Sequence, residues 1–129
     1  MRTFLTVLAF AILAYLVWRL WKPLVAPPKR EVPKDKANLY FFHTDWCGHC
    51  IKAMPEWEKL EAGPSTFGNT TVSFVPVNAD NDRKTADMYD VEGYPTIKLE
   101  TSTGLYTFEG VPTAAKLTQY LRETLGKEA

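Results

Sequence analysis

The sequence predicts an α/β fold: a mixed sheet with helices on its faces, preceded by a separate apolar helix. Three observations carry this. Apolar strand-like runs alternate with helix-periodic stretches up to about residue 100, the pattern of parallel strands joined by helical crossovers. Two strand-like runs then follow each other across a short turn, as an antiparallel hairpin does, before a last helix. The first twenty-one residues are of another kind, nearly all apolar and followed at once by prolines.

That apolar start has no charge from Phe4 to Trp18. Fifteen helical residues span about 22 Å, short of a hydrocarbon core of about 30 Å; continuing to Trp21 gives about 27 Å. Arg19 would then reach back to the interface, where Trp18 and Trp21 also belong. Arg2 followed by Phe4–Leu16 also suits a cleaved signal peptide, but the nearest cleavage site, after Ala26, has Leu24 behind it and Pro27 ahead. Residues 1–21 are therefore expected to be a transmembrane signal anchor, with membrane lipids as its partner.

Residues 22–36 contain Pro23, Pro27, Pro28 and Pro33 and read as a semi-rigid basic linker reaching up to about 45 Å. Arg19 to Lys36 holds six basic residues against two acidic ones, a charge suited to anionic headgroups. Residues 37–129 form the main domain, with eight basic and thirteen acidic residues. No basic stripe interleaved with aromatics is present, so nucleic acid is not an expected partner. The excess of Lys and Arg after the apolar run favours a cytoplasmic domain. The cysteine chemistry below favours the endoplasmic reticulum lumen or another oxidising compartment. The side stays open, leaning to the lumen.

Within the domain, residues 38–43 read as a buried strand. A helix follows from Cys47 to about Ala62, with Ile51, Met54, Trp57 and Leu60 on one face and Thr44 or Asp45 as cap. Residues 63–69 read as a loop and 71–77 as a second strand. Residues 78–82 cap a helix over 82–89, and Gly93–Thr96 is a turn. Strands over 96–100 and 105–109 form the hairpin. Gly110–Thr113 opens a last helix whose apolar face is Ala114, Leu117, Tyr120, Leu121 and Leu125.

The chemistry lies in Trp46-Cys47-Gly48-His49-Cys50, which holds the chain's two cysteines. Haem attachment needs His directly after the second cysteine, and Ile51 is there. Zinc would need four ligands; only His43 and His49 could complete the set, and His49 lies between the thiols. A disulfide closing so small a loop stabilises little. Thiol–disulfide exchange leads, with no metal and no cofactor required. Cys47 at a helix start is the expected nucleophile, lowered in pKa and exposed, and Cys50, one turn on, the resolving thiol. A protonated His49 would favour the Cys47 thiolate.

Trp46-Cys47-Gly48-His49-Cys50 resembles the active site of protein disulfide isomerase catalytic domains. Pro55 matches the proline of the active-site helix in thioredoxins, and Tyr89–Lys98 resembles the Tyr-x-Val-x-Gly-[Phe/Tyr]-Pro-Thr segment of that superfamily. The likeness covers about residues 37–126. It implies a thioredoxin-like fold with about three helices in the domain. It also implies a cis Tyr94–Pro95 bond beside the thiols, where Trp46, Gly48, Tyr94 and Pro95 meet extended substrate.

The chain departs from the pattern in three ways. The strand and helix that open such domains have no counterpart, which leaves an expected four-stranded sheet with an uncovered edge. Phe41 stands where the family keeps a buried acid, and Pro112 where disulfide isomerases carry an arginine. Lys52 and Glu56 could substitute in proton handling, but their spacing suggests exposed positions.

The expected function is a membrane-tethered oxidoreductase of oxidase or isomerase type. It would act on cysteine-containing client proteins and exchange electrons with a donor or acceptor protein. The alternatives are a thioredoxin-like reductase and a low-activity client-binding module.

Overall fold

A computed structural model describes residues 1–21 and 31–126. The chain divides into two compact units, Met1–Glu31 and Val32–Ala129. In the first, α1 (Arg2–Trp21) is one uninterrupted helix of 20 residues, long and apolar enough to cross a membrane. Most of the expected linker, residues 22–30, lies outside the described residues.

The second unit is a five-stranded sheet in the order β2-β3-β1-β4-β5. β1 (Lys36–His43) runs down the centre, parallel to β3 (Thr70–Asn78) and antiparallel to β4 (Thr96–Glu100). β5 (Leu105–Thr107) closes one side as the hairpin partner of β4. Three helices complete the unit: α2 (Gly48–Ala62), α3 (Arg83–Met88) and α4 (Ala114–Leu125).

Alternation along β1 sorts the core into two layers. Ala37, Leu39 and Phe41 face Trp57 and Leu60 of α2 and Leu117, Leu121 and Leu125 of α4. Tyr40 and Phe42 face the other way, onto Ala86, Tyr89 and Val77. β1 is thus buried on both faces, which explains its unbroken apolar run.

The fifth strand corrects the expected count of four. β2 (Thr66–Phe67) lies within the stretch read as a loop and pairs antiparallel with Thr70 and Thr71. Gly68 makes the connecting turn at φ 60°. Among the described residues, the edge expected to be uncovered is thus paired at its start, by β2. Further along β3, alternate residues face outward. Val72 N–H turns out to Ser65 O (2.7 Å), whereas Thr71 N–H turns in to Asp35 O (2.9 Å). By the same alternation Pro76 faces outward, at a position where no N–H is needed for the ladder.

The buried stripe of α2 is a second correction. It is Cys50, Ala53, Trp57 and Leu60, with Met54 partly packed, while Ile51 is 63% exposed. The apolar face of α4 is as expected: Leu117, Leu121 and Leu125 are buried, and Ala114 and Tyr120 pack at its margin.

Candidate active site

Cys47 is the N-cap of α2, with extended backbone (φ −82°, ψ 110°), and its Sγ accepts the N–H of Cys50 at 3.1 Å. The capping group is thus the sulfur itself, in place of the expected Thr44 or Asp45. Cys47 and Cys50 are joined as a disulfide, Cα atoms 5.2 Å apart. A sulfur at this place meets a first-turn N–H that has no carbonyl partner within the helix, and the positive end of the helix, both of which favour a thiolate. In this disulfide form Cys47 is more covered than expected, at 6% exposure against 1% for Cys50.

The loop ahead of Cys47 is held from the end of β3. Asp80 Oδ2 accepts the N–H of Asp45 at 3.0 Å, and Oδ1 accepts the indole N–H of Trp46 at 3.1 Å. Asn78 donates its amide to Asp45 Oδ1 at 2.9 Å and accepts the N–H of Asp80 at 3.0 Å. The sequence reading missed these roles, taking residues 78–82 together as caps of α3. Asp82 alone does that, accepting the N–H of Thr85 at 3.1 Å. The surplus of polar residues over what one cap needs was the available signal.

Trp46 is 72% exposed and meets Tyr94 edge-on, centroids 6.1 Å apart. Tyr94–Pro95 is cis, as the resemblance implied. The sequence-expected residues thus fall into one neighbourhood with two clefts. One, about 310 Å³, is lined by His49, Lys52, Glu56, Pro95 and Pro112. The other, about 360 Å³, is lined by His43, Thr44, Asp45, Cys50, Met54 and Glu58. His49 is exposed in the first turn of α2. Gly48 is also exposed, and a Cβ there would touch nothing, so space does not require a glycine.

Glu56 does not act as a free carboxylate. One oxygen accepts from Lys59 Nζ at 2.8 Å and the other from the N–H of Ala114 at 2.9 Å, tying α2 to the start of α4. These two bonds hold its carboxyl below the usual range. Phe41 is fully buried and stacks on Trp57 (5.1 Å) and on His43 (5.3 Å). Burial lowers the His43 imidazole below its ordinary value, against the opposing pull of Asp45 and Asp80. Among the described residues no group of three or more His, Cys, Asp and Glu side chains gathers as a metal site.

A family model described as Thioredoxin matches residues 28–123. The chain is 38% identical over 95 residues to Protein disulfide isomerase-like 2-1 of Oryza sativa subsp. japonica, covering 72% of this chain and 25% of that protein. It is 33% identical over 108 residues to mouse Protein disulfide-isomerase A6, covering 76% and 24%. It spans about a quarter of the length of these relatives. Among solved structures, the first thioredoxin domain of mouse Protein disulfide-isomerase A4 superposes with a TM-score of 0.60 at 29% identity, covering 71% of this chain and 64% of that one. Human ERp44, at 23% identity and a TM-score of 0.59, shares the fold.

Proposed function

This chain belongs to the thioredoxin family and is by class a thiol–disulfide oxidoreductase, and from that premise we propose that it oxidises or isomerises the cysteines of client proteins at Cys47–Cys50 while anchored in a membrane by α1. The observation that carries the reading is the placing of the disulfide. Its Cys47 Sγ caps a helix while Cys50 lies beneath it. A client thiolate attacks Cys47 Sγ, and Cys50 leaves as a thiolate and takes up a proton. A second client thiolate then attacks the client sulfur of the mixed disulfide and expels the Cys47 thiolate. The client gains a disulfide and the protein keeps two thiols. His49, two residues after Cys47, lends positive charge to that thiolate when protonated.

Clients are proposed to dock over Trp46, Gly48, Tyr94 and Pro95, with the exposed side chains of Ile51 and Val111 adding apolar surface nearby. In this reading residues 22–36 space the domain from the bilayer, and the domain is shortened at its N-terminal side, with β2 standing in at part of the sheet edge. An oxidising lumen suits the chemistry.

The test is a Cys50→Ala chain, which should accumulate mixed disulfides with client proteins through Cys47. Cys47→Ser should remove them. Absence of trapped clients, together with no turnover of a model dithiol, defeats the proposal. A reduction potential near about −180 mV marks an oxidase or isomerase, and one near about −270 mV a reductase. Protease protection in intact membranes reports the side.

A further inference from the structure

Cys50 is the sulfur on which exchange makes the hardest demand. It is 1% exposed, and burial among apolar groups disfavours its thiolate. Each turnover nevertheless passes through that thiolate, so a proton must leave and return at a buried site.

The surrounding elements offer few groups to carry it. From β1, Phe41 brings only an apolar ring, stacked between Trp57 and His43. From α2, Lys52 and Glu56 line the other cleft, with both Glu56 oxygens engaged; Glu58 lines the Cys50 cleft but is exposed. From the loops, Asp45 accepts from Asn78, and both oxygens of Asp80 are bound to Asp45 and Trp46. His43 is different. It follows Phe41 by two residues and so shares the sheet face that α2 covers. Its ring is held by stacking on Phe41 at 27° between planes, and it is half-buried. With Cys50 it lines the 360 Å³ cleft. Thr44 lines that cleft too, and its Oγ1 is buried with no hydrogen-bond partner among the described residues. The cleft's lining is largely apolar, but His43, Thr44 and Asp45 give it polar groups at one side, and a cleft of this size has room for water beside them.

We propose that His43 is the proton-relay residue of Cys50, exchanging a proton with its thiol through water in this cleft. The inference rests on the exchange reading above. When a mixed disulfide at Cys47 is resolved, the neutral imidazole takes the Cys50 proton. The Cys50 thiolate attacks Cys47 Sγ, the Cys47–Cys50 bond forms, and the partner leaves as a thiolate. Two protein thiols are oxidised and the partner disulfide is reduced. When Cys50 is instead the leaving group, the imidazolium returns the proton. The lowered basicity of His43 keeps the imidazole neutral, and able to accept, at neutral pH.

The experiment uses the reduced full-length chain in detergent, mixed with glutathione disulfide, acid-quenched and resolved by mass between pH 5 and 9. The glutathionylated form reports capture at Cys47; its conversion to the internal disulfide reports resolution by Cys50. The wild-type resolution rate should fall as pH drops through the imidazole pKa and level off above it. In His43→Gln and in His43→Phe, which keeps a ring on Phe41, the glutathionylated form should accumulate and resolve on the order of 10- to 100-fold more slowly at pH 7. Their rates should keep rising with pH toward the thiol's own ionisation. Capture at Cys47 shows that each variant's site is folded. Variants that capture normally and resolve within about threefold of wild type, with the same pH profile, overturn the role of His43 alone. A wild-type chain that never becomes glutathionylated overturns the exchange reading and this inference with it.

Discussion

The indole N–H of Trp46 donates to Oδ1 of Asp80 across 3.1 Å, while the other oxygen of that carboxylate accepts the N–H of Asp45. One side chain from the turn just after β3 thus holds two successive residues just ahead of Cys47. The exposed indole is presented at a fixed angle to Tyr94 because its polar edge is tethered.

Asp80→Ala should therefore act on turnover more than on folding. Asp80 is exposed, so the urea midpoint should move little. The rate of reduction of a fluorescent model disulfide should fall about 3- to 10-fold, since misplacing a positioning loop is felt in the reacting geometry. Asp80→Asn, which keeps an acceptor for one of the two N–H groups, should fall between.

Glu56 gives a pH signature. Its carboxyl is held below the ordinary value of 4.5 by the Lys59 ammonium and the N–H of Ala114. A depressed acid contributes stability that is fully present above its unfolded value and is lost as pH falls through the folded one. Thermal melts of wild type and Glu56→Gln should differ at pH 7, and the gap should close below about pH 4.5.

On the opposite face of β1, the Tyr89 hydroxyl donates to Tyr40 at 2.9 Å, Tyr40 donates to Glu100 Oε2 at 3.1 Å, and Asn38 donates to the same oxygen at 3.2 Å. Burial, then the bond with Tyr89, raises the Tyr40 phenol well above its usual range, so it stays a donor at any physiological pH. Glu100→Ala should cost about 1–3 kcal/mol in urea unfolding, because it strands buried hydroxyls. Tyr40→Phe made in the same background should recover part of that.

Ile51 and Leu121 should separate function from stability. Leu121 is fully buried, and Leu121→Ala should cost about 2–5 kcal/mol. Ile51 is mostly exposed beside the disulfide, and Ile51→Ser should change stability by less than about 0.5 kcal/mol. In the Cys50→Ala trap, Ile51→Ser should lower the yield of captured clients.

These pairs also show what the sequence could convey. β4 is legible to the residue, Thr96–Glu100, because alternation and flanking turns bound it on both sides. The buried face of α4 is legible because leucines repeat at helical spacing. The face of α2 is read correctly at Trp57 and Leu60 but misread at its start, since Cys50 and Ala53 are small and weigh little in an apolar pattern, while Ile51 weighs much. β2 has two residues and therefore no period; only a buried Phe67 before a turn glycine marks it. The Cys47–Cys50 pair is plain from spacing. The holds of Asp80 on Trp46 and of Glu56 on Ala114 join residues 34 and 58 apart, and no local pattern carries such distances.

The outward row of β3 beyond β2 ends in a consequence for crowding. Pro76 offers a carbonyl but no N–H to anything laid along that edge, so an incoming strand would zip a short way and stall. For copies confined to a bilayer by α1, as proposed above, collisions are frequent and oriented, and an edge that refuses a neighbour's strand keeps them from growing into shared sheets. Pro76→Val should turn a monodisperse sedimentation profile into one with concentration-dependent larger species; an unchanged profile would remove this role from the proline.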